Sequence, residues 1–144
     1  MVNIIDELKY RGLIKDFSNE TEVRKLFDSP QTIYCGFDPS ASSMHLGNFV
    51  MISMLMRLQR AGHRIIAVVG GATGMIGDPS GKSKERNLLG SDALSNNTNC
   101  IKNQLEKFIN LEDRKKGIIV NNYDWLSKLS VLDYLREYGK YFPV

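Results

Sequence analysis

An α/β fold built on a doubly wound parallel sheet is what this chain predicts, and two stretches carry most of that expectation. Thr32–Phe37 is β-branched and aromatic, the composition of a strand. Ile65-Ile66-Ala67-Val68-Val69 is a continuous apolar run, as expected of a parallel strand covered on both faces. Between them, Leu46 to Ala61 reads as a helix that is apolar on nearly all sides until Arg57, so it should be mostly buried. Strand, helix and strand in that order make a βαβ unit with a right-handed crossover. A nucleotide site is then expected at the carboxyl ends of the strands.

The remaining elements follow in order. Residues 3–11 place Ile4, Ile5 and Leu8 on one side of a short helix, with Gly12 as its stop. A second helix starts at Asn19, with Glu22 in the capping-box position, and is expected to bury Val23, Leu26 and Phe27 before Ser29-Pro30 ends it. These two helices form an N-terminal arm over residues 1–30. Gly62 closes the long helix in the position after its C-cap. Residues 70–90 read as a glycine-rich loop. A further helix is expected across 95–109, with Ile101, Leu105, Phe108 and Ile109 on one face; the cap-forming run Ser95-Asn96-Asn97-Thr98-Asn99 leaves its start open. Arg114-Lys115-Lys116-Gly117 is a solvated turn, Ile118–Val120 a third strand, and Ser130 with Asp133 caps a last helix through Tyr138.

Composition sets broad bounds. The chain has 144 residues, 42% hydrophobic and 24% charged, with a net charge of +3. That mild basicity is compatible with RNA binding without demanding it. Cys35 and Cys100 have no metal-type spacing and read as free thiols of a reducing compartment. The acidic start Met1–Glu7 lacks the flank of a signal peptide, and no stretch approaches the roughly 20 apolar residues of a membrane span. The expected location is the cytoplasm, with no membrane partner and no metal site.

Two segments carry chemistry. Tyr34-Cys35-Gly36-Phe37-Asp38-Pro39-Ser40 runs from a strand into a turn, and His45-Leu46-Gly47-Asn48 then opens the long helix. A helix start offers unpaired N–H groups and the positive end of a dipole, so an imidazole and an amide there build a phosphate grip. The same residues could simply cap the helix, and Tyr34 and Cys35 could fill the core. The second segment, Gly77-Asp78-Pro79-Ser80-Gly81-Lys82-Ser83, suggests a P-loop but fails it: position 76 is Ile where that motif needs glycine, and Pro79 removes an N–H. No dinucleotide G-x-G-x-x-G fits either. What remains is glycines permitting close approach, a carboxylate at Asp78 suited to an ammonium group, and a cationic arm of Lys82, Lys84 and Arg86. By residues alone this could equally be a solvated loop.

Together these segments resemble the class I aminoacyl-tRNA synthetases, and within them the bacterial-type tyrosyl-tRNA synthetases. The His45–Asn48 stretch is similar to their HIGH-type element, and Val69 to Lys82 to their second-strand loop almost residue for residue. Asn121-Asn122-Tyr123-Asp124-Trp125 and Leu8–Leu13 also match, so the resemblance covers the whole chain. It implies a Rossmann-like, doubly wound catalytic domain of which residues 31–144 are the first part, cut before the second signature loop, Lys-Met-Ser-Lys-Ser. That loop and a tRNA-binding C-terminal domain are expected beyond Val144.

The resemblance further implies tyrosine activation by ATP with Mg²⁺ as substrate, no tightly bound cofactor, transfer of tyrosine to tRNA(Tyr), and a homodimer. Carried over by position, Tyr34 would bind the substrate phenol, Asp78 its ammonium group, and Gly36 would line the tyrosine site. Asp38 would hold the α-phosphate through its backbone N–H, while Cys35, Gly47 and Asn48 would lie along the ATP ribose and backbone. His45, Ser40, Lys82 and Arg86 would act on the departing pyrophosphate. Ser40 keeps the hydroxyl of the family's usual Thr, and Asn48 stands where many members have His. Ser83-Lys84 reverses the common Lys-Ser order. A tryptophanyl enzyme, or a non-catalytic nucleotide- or RNA-binding module of the same fold, are the rival readings; Tyr34 and the Gly77–Gly81 run argue against the former.

Overall fold

The computed structural model describes residues 3–76 and 90–142. Helices α1 (Ile4–Tyr10) and α2 (Glu20–Leu26) lead into β1 (Thr32–Phe37), α3 (Leu46–Arg60) and β2 (Arg64–Val69). A helical turn α4 (Thr73–Ile76) follows, then α5 (Ser91–Leu105), β3 (Gly117–Asn121), a short α6 (Tyr123–Leu126), and α7 (Val131–Glu137) with a 3₁₀ turn at Gly139–Tyr141. The strands pair in parallel in the order β1-β2-β3, with Tyr34 beside Ile66 and Ile66 beside Ile118. This is the βαβ progression that forms one half of a Rossmann-like sheet.

Pairing in parallel register puts Ile33, Cys35 and Phe37 on the same face as Ile65, Ala67 and Val69. Both crossover helices cover that face. Ile52, Leu55 and Leu58 of α3 and Ile101 and Leu105 of α5 join Ile65, Ala67 and Val69 in one cluster. Leu55, Ile65 and Leu105 have no accessible surface. Each such side chain contributes about 1.5–3 kcal/mol of burial. Leu8 of α1 reaches the same cluster, so the N-terminal helices share the core.

Helix ends are set by local chemistry. Gly12 and Gly62 adopt positive φ, +66° and +96°, which other residues rarely accept. After α3, His63 N–H bonds Leu58 O at 3.1 Å and Gly62 N–H bonds Gln59 O at 3.0 Å, a Schellman closure. The Asn19 side chain caps α2 on Glu22 N–H, and Ser130 caps α7 on Asp133 N–H, as the sequence predicts.

Several expectations are corrected. In α2, Val23 and Phe27 are half-buried but Leu26 is 55% exposed. Ion pairs Lys9–Glu20 and Arg24–Asp6 dock the helix on α1 along its 20–24–27 stripe, which turns Leu26 outward. Helix α3 is not buried all round: Leu46, Phe49 and Val50 are exposed, because only the side facing the sheet is covered. For the same reason Ile66 and Val68 of β2 are half-buried while their alternate neighbours are sealed. Helix α5 begins at Ser91 and takes the polar 95–99 run into its interior, where Leu94, Asn97 and Ile101 anchor it; packing overrides weak propensity. Phe108 falls beyond that helix and stays 41% exposed, edge-on to Phe49. Within the expected 70–90 loop, residues 73–76 are helical. The third strand runs one residue further at each end than the apolar trio suggests, and α7 stops at Glu137.

His63 is buried between the arm and β1, with Nδ1 accepting from Gln31 N–H at 3.0 Å and its ring 4.8 Å from Phe27. Burial holds its pKa below the ordinary imidazole value. The unfolded chain therefore takes up this proton first, and the stability His63 supplies above about pH 6.5 is lost as pH falls below it. A melting series from about pH 8 to about pH 5 should show this decline, and His63→Gln, which keeps an acceptor without titrating, should flatten it. Equal slopes in both proteins would refute the assignment.

Candidate nucleotide-binding site

Because the three strands run parallel, the loops after β1, β2 and β3 emerge together at the carboxyl edge. The loop after β1 carries Asp38, Pro39 and Ser40 and ends at His45, the N-cap of α3. His45 is extended (φ −95°, ψ 174°), and its Nδ1 accepts from Gly47 N–H at 3.0 Å. His45 N–H in turn donates to Asn48 Oδ1 at 3.1 Å. An Nδ1 that accepts leaves the proton on Nε2, so the ring can still donate outward. With the Asn48 oxygen occupied by the cap, its NH₂ is the group still able to donate. The first turn of α3 contains no acidic residue, so nothing there opposes an anion at the helix start.

A second group of polar residues lies at the same edge. Thr73 Oγ1 donates to Asp38 Oδ1 at 3.2 Å, and Asn122 Nδ2 donates to Thr73 Oγ1 at 3.1 Å. The Asn122 carbonyl accepts from Ala72 N–H at 2.7 Å, and the Asn121 carbonyl from Gly71 N–H at 3.1 Å and Tyr123 N–H at 3.0 Å. Asn122 is buried. The loops after all three strands are thus tied to one another. Gly70 and Gly71 are required by this closeness: a Cβ at Gly70 would lie 2.5 Å from Thr73 Oγ1, and one at Gly71 2.8 Å from Asn121 Nδ2. A cavity of about 400 Å³ opens alongside, lined by Gly71, Met75, Asp92, Leu94, Asn121 and Tyr123 among others. A larger cavity, about 650 Å³, lies away from this edge, between the arm and the end of α3.

The sequence-predicted residues divide into four groups. Asp38, Ser40, His45, Gly47 and Asn48 come together at the carboxyl edge. Tyr34 and Gly36 lie on the face of β1 opposite the helices, and Tyr34 is 77% exposed, so it is not a core aromatic. Strand alternation puts Cys35 on the covered face, half-buried against the core, where burial pushes its thiol pKa up. Asp78, Lys82 and Arg86 lie outside the described residues. Among those described, no three His, Cys, Asp or Glu residues stand close enough to hold a metal ion, and no helix is long and apolar enough to cross a membrane.

Residue reading missed Thr73, Asn121 and Asn122 as parts of the site. The available signal was their position: polar side chains directly after two strand ends, next to a glycine pair.

Comparison with known proteins bears on the family and the fold. The family model for class I tRNA synthetases (W and Y) matches residues 26–144. A tyrosine–tRNA ligase of Rhodopirellula baltica is 49% identical over 143 residues, covering 99% of this chain and 33% of that protein. One from Clostridium botulinum (strain Eklund 17B) is 48% identical over 145 residues, covering 100% and 36%. This chain spans about a third of the length of these curated relatives. Among solved structures, a C-terminally truncated Aspergillus nidulans mitochondrial tyrosyl-tRNA synthetase superposes with a TM-score of 0.86 at 27% identity, covering 99% of this chain and 44% of that one. An Archaeoglobus fulgidus tyrosyl-tRNA synthetase complexed with L-tyrosine shares the fold, with a TM-score of 0.61 at 22% identity over 98% of this chain and 41% of that one.

If Asn122 holds the loops as described, Asn122→Ala should strip a partner from the part-buried Ala72 N–H and free Thr73. The expected cost is about 1–3 kcal/mol in denaturant unfolding. A change too small to measure would mean the network is incidental.

Proposed function

This chain belongs to the class I tRNA synthetases of the tryptophan and tyrosine type, and we propose that it acts in the activation of tyrosine by ATP and its transfer to tRNA(Tyr). The observation that carries the reading is the His45 cap: an imidazole whose remaining proton points away from the bond that fixes it, at the start of a long helix. At the other end of the same loop an Asp38 carboxylate is fixed through Thr73 and Asn122.

In this reading the tyrosine carboxylate attacks the α-phosphate of Mg²⁺-bound ATP and pyrophosphate leaves in line. The carboxylate is ionised at neutral pH and needs no general base, so positioning and charge stabilisation carry the step. Asp38 N–H binds the α-phosphate. His45 Nε2–H and the α3 amides receive charge as pyrophosphate departs, with Ser40 beside them, and Asn48 and Gly47 border the ribose with Cys35. Tyr34 meets the substrate phenol on the open face of β1, next to Gly36. An unanswered hydroxyl there would disfavour phenylalanine, since a desolvated polar group without a partner is costly. Asp78, Lys82 and Arg86 take the ammonium and pyrophosphate roles that their match to the family's loop suggests. The tyrosyl group then passes to a 3′-terminal ribose of tRNA(Tyr). A cytoplasmic homodimer completes the proposal.

The direct test is exchange of labelled pyrophosphate into ATP by the complete gene product. Exchange dependent on tyrosine supports the reading; exchange dependent on tryptophan, or none, overturns it. Within that assay His45→Ala should slow activation by about 2–3 kcal/mol and leave tyrosine affinity nearly unchanged. Lys82→Ala and Arg86→Ala should likewise slow the chemical step more than they weaken ATP binding; a pure affinity loss would contradict the pyrophosphate role.

A further inference from the structure

We propose that Asn97 and Gln104, two side-chain amides on α5, are positioning residues that hold the loop from Asp38 to His45 in its phosphate-binding shape. The inference rests on the function proposed above and extends it to two residues of α5 to which that reading gives no substrate contact.

The loop does little to hold itself. Among the described residues, its only internal backbone bond is Ser40 N–H to Asp38 O at 2.9 Å. Beyond the Thr73 bond to Asp38 at its start and the His45 cap at its end, its ties come from α5. Asn97 Nδ2 donates to Pro39 O at 3.1 Å in a buried setting. Gln104 Oε1 accepts from Met44 N–H at 3.0 Å, and Gln104 Nε2 donates to Ser42 O at 3.3 Å. Positions 97 and 104 are seven apart, close to two helical turns, so both amides project from one side of α5. Leu94, Ile101 and Leu105 fix that helix against the core. The braced carbonyls and amide fall at residues 39, 42 and 44. They flank Asp38 and Ser40 at one end, and at the other the peptide entering His45, whose extended conformation makes the cap possible.

A backbone polar group buried without a partner is expensive, which explains an asparagine in the middle of a helix opposite the sealed Pro39. Gln104 is different. It is only half-buried, and its two bonds to the loop replace none that α5 needs. Its removal should therefore loosen the loop without unfolding the protein, and that separates positioning from general stability.

The test compares Gln104→Met, which keeps length but cannot bond, with Gln104→Glu, which keeps the acceptor for Met44 N–H. Both are made in the complete gene product. Misplacing a helix start by a fraction of an ångström is expected to slow tyrosine activation about tenfold in Gln104→Met. Tyrosine affinity should stay within about twofold, and Gln104→Glu should regain much of the rate. An activation rate in Gln104→Met within about twofold of the unmodified protein would overturn the proposal, as would an equal loss of tyrosine affinity. A second measurement reads the loop without catalysis: hydrogen exchange at the Met44 amide should accelerate in Gln104→Met while exchange at Leu55 stays unchanged. If the unmodified protein fails to activate tyrosine, the functional reading falls, and Met44 exchange still decides whether Gln104 holds the loop. Unaltered Met44 exchange would refute the brace.

Discussion

Everything in this structure depends on burying one face of the sheet under two helices. Ile65, Ala67 and Val69 meet Ile52, Leu55 and Leu58 from α3 and Ile101 and Leu105 from α5 in a single cluster. With each crossover helix carrying the chain back across that face, the three strands run parallel and all their outgoing loops leave by the same edge. The apolar core therefore determines where polar chemistry can be assembled. The loops after β1, β2 and β3 are far apart in sequence, yet Asp38, Thr73 and Asn122 form one hydrogen-bonded chain.

That edge combines two kinds of electrostatics. The start of α3 offers N–H groups and a ring proton at the positive end of a 15-residue helix. The neighbouring network answers part-buried backbone amides with asparagine side-chain oxygens, so the turns after β2 and β3 can lie close together with the Gly71 and Ala72 N–H groups paired. A phosphate-bearing ligand would find donors already oriented, with little reorganisation left to perform. The same logic extends outward to α5, whose amides supply the bonds that the loop after β1 cannot make internally.

Much of this was legible in the sequence, for reasons that differ by element. Periodicity and composition found β1 and β2 because a parallel strand must be apolar or β-branched to be buried at all. The capping rules found Asn19, Ser130 and Gly62 because those ends are satisfied by nearby atoms. The His45–Asn48 start could be read for the same local reason, and its match to a known family sharpened the reading. What stayed hidden was non-local. The 95–99 run looks like a poor helix interior until Asn97 is seen answering Pro39 O across 58 residues of chain. Leu26 and the first turns of α3 were expected inside because apolarity marks what can be buried, whereas neighbours decide what is. Thr73 and Asn122 stand out in one dimension only as polar residues following strand ends; the convergence of those ends is what brings them to Asp38.

In the function proposed above, this carboxyl edge holds an aminoacyl adenylate and prefers the tyrosyl form. Thermal unfolding of the protein with a non-hydrolysable tyrosyl-adenylate analogue, run beside the tryptophanyl analogue, tests it most directly. Stabilisation by the tyrosyl compound alone is the predicted result, because only a ligand bound to the folded state raises the melting temperature. An equal shift with both compounds, or none with either, would contradict it.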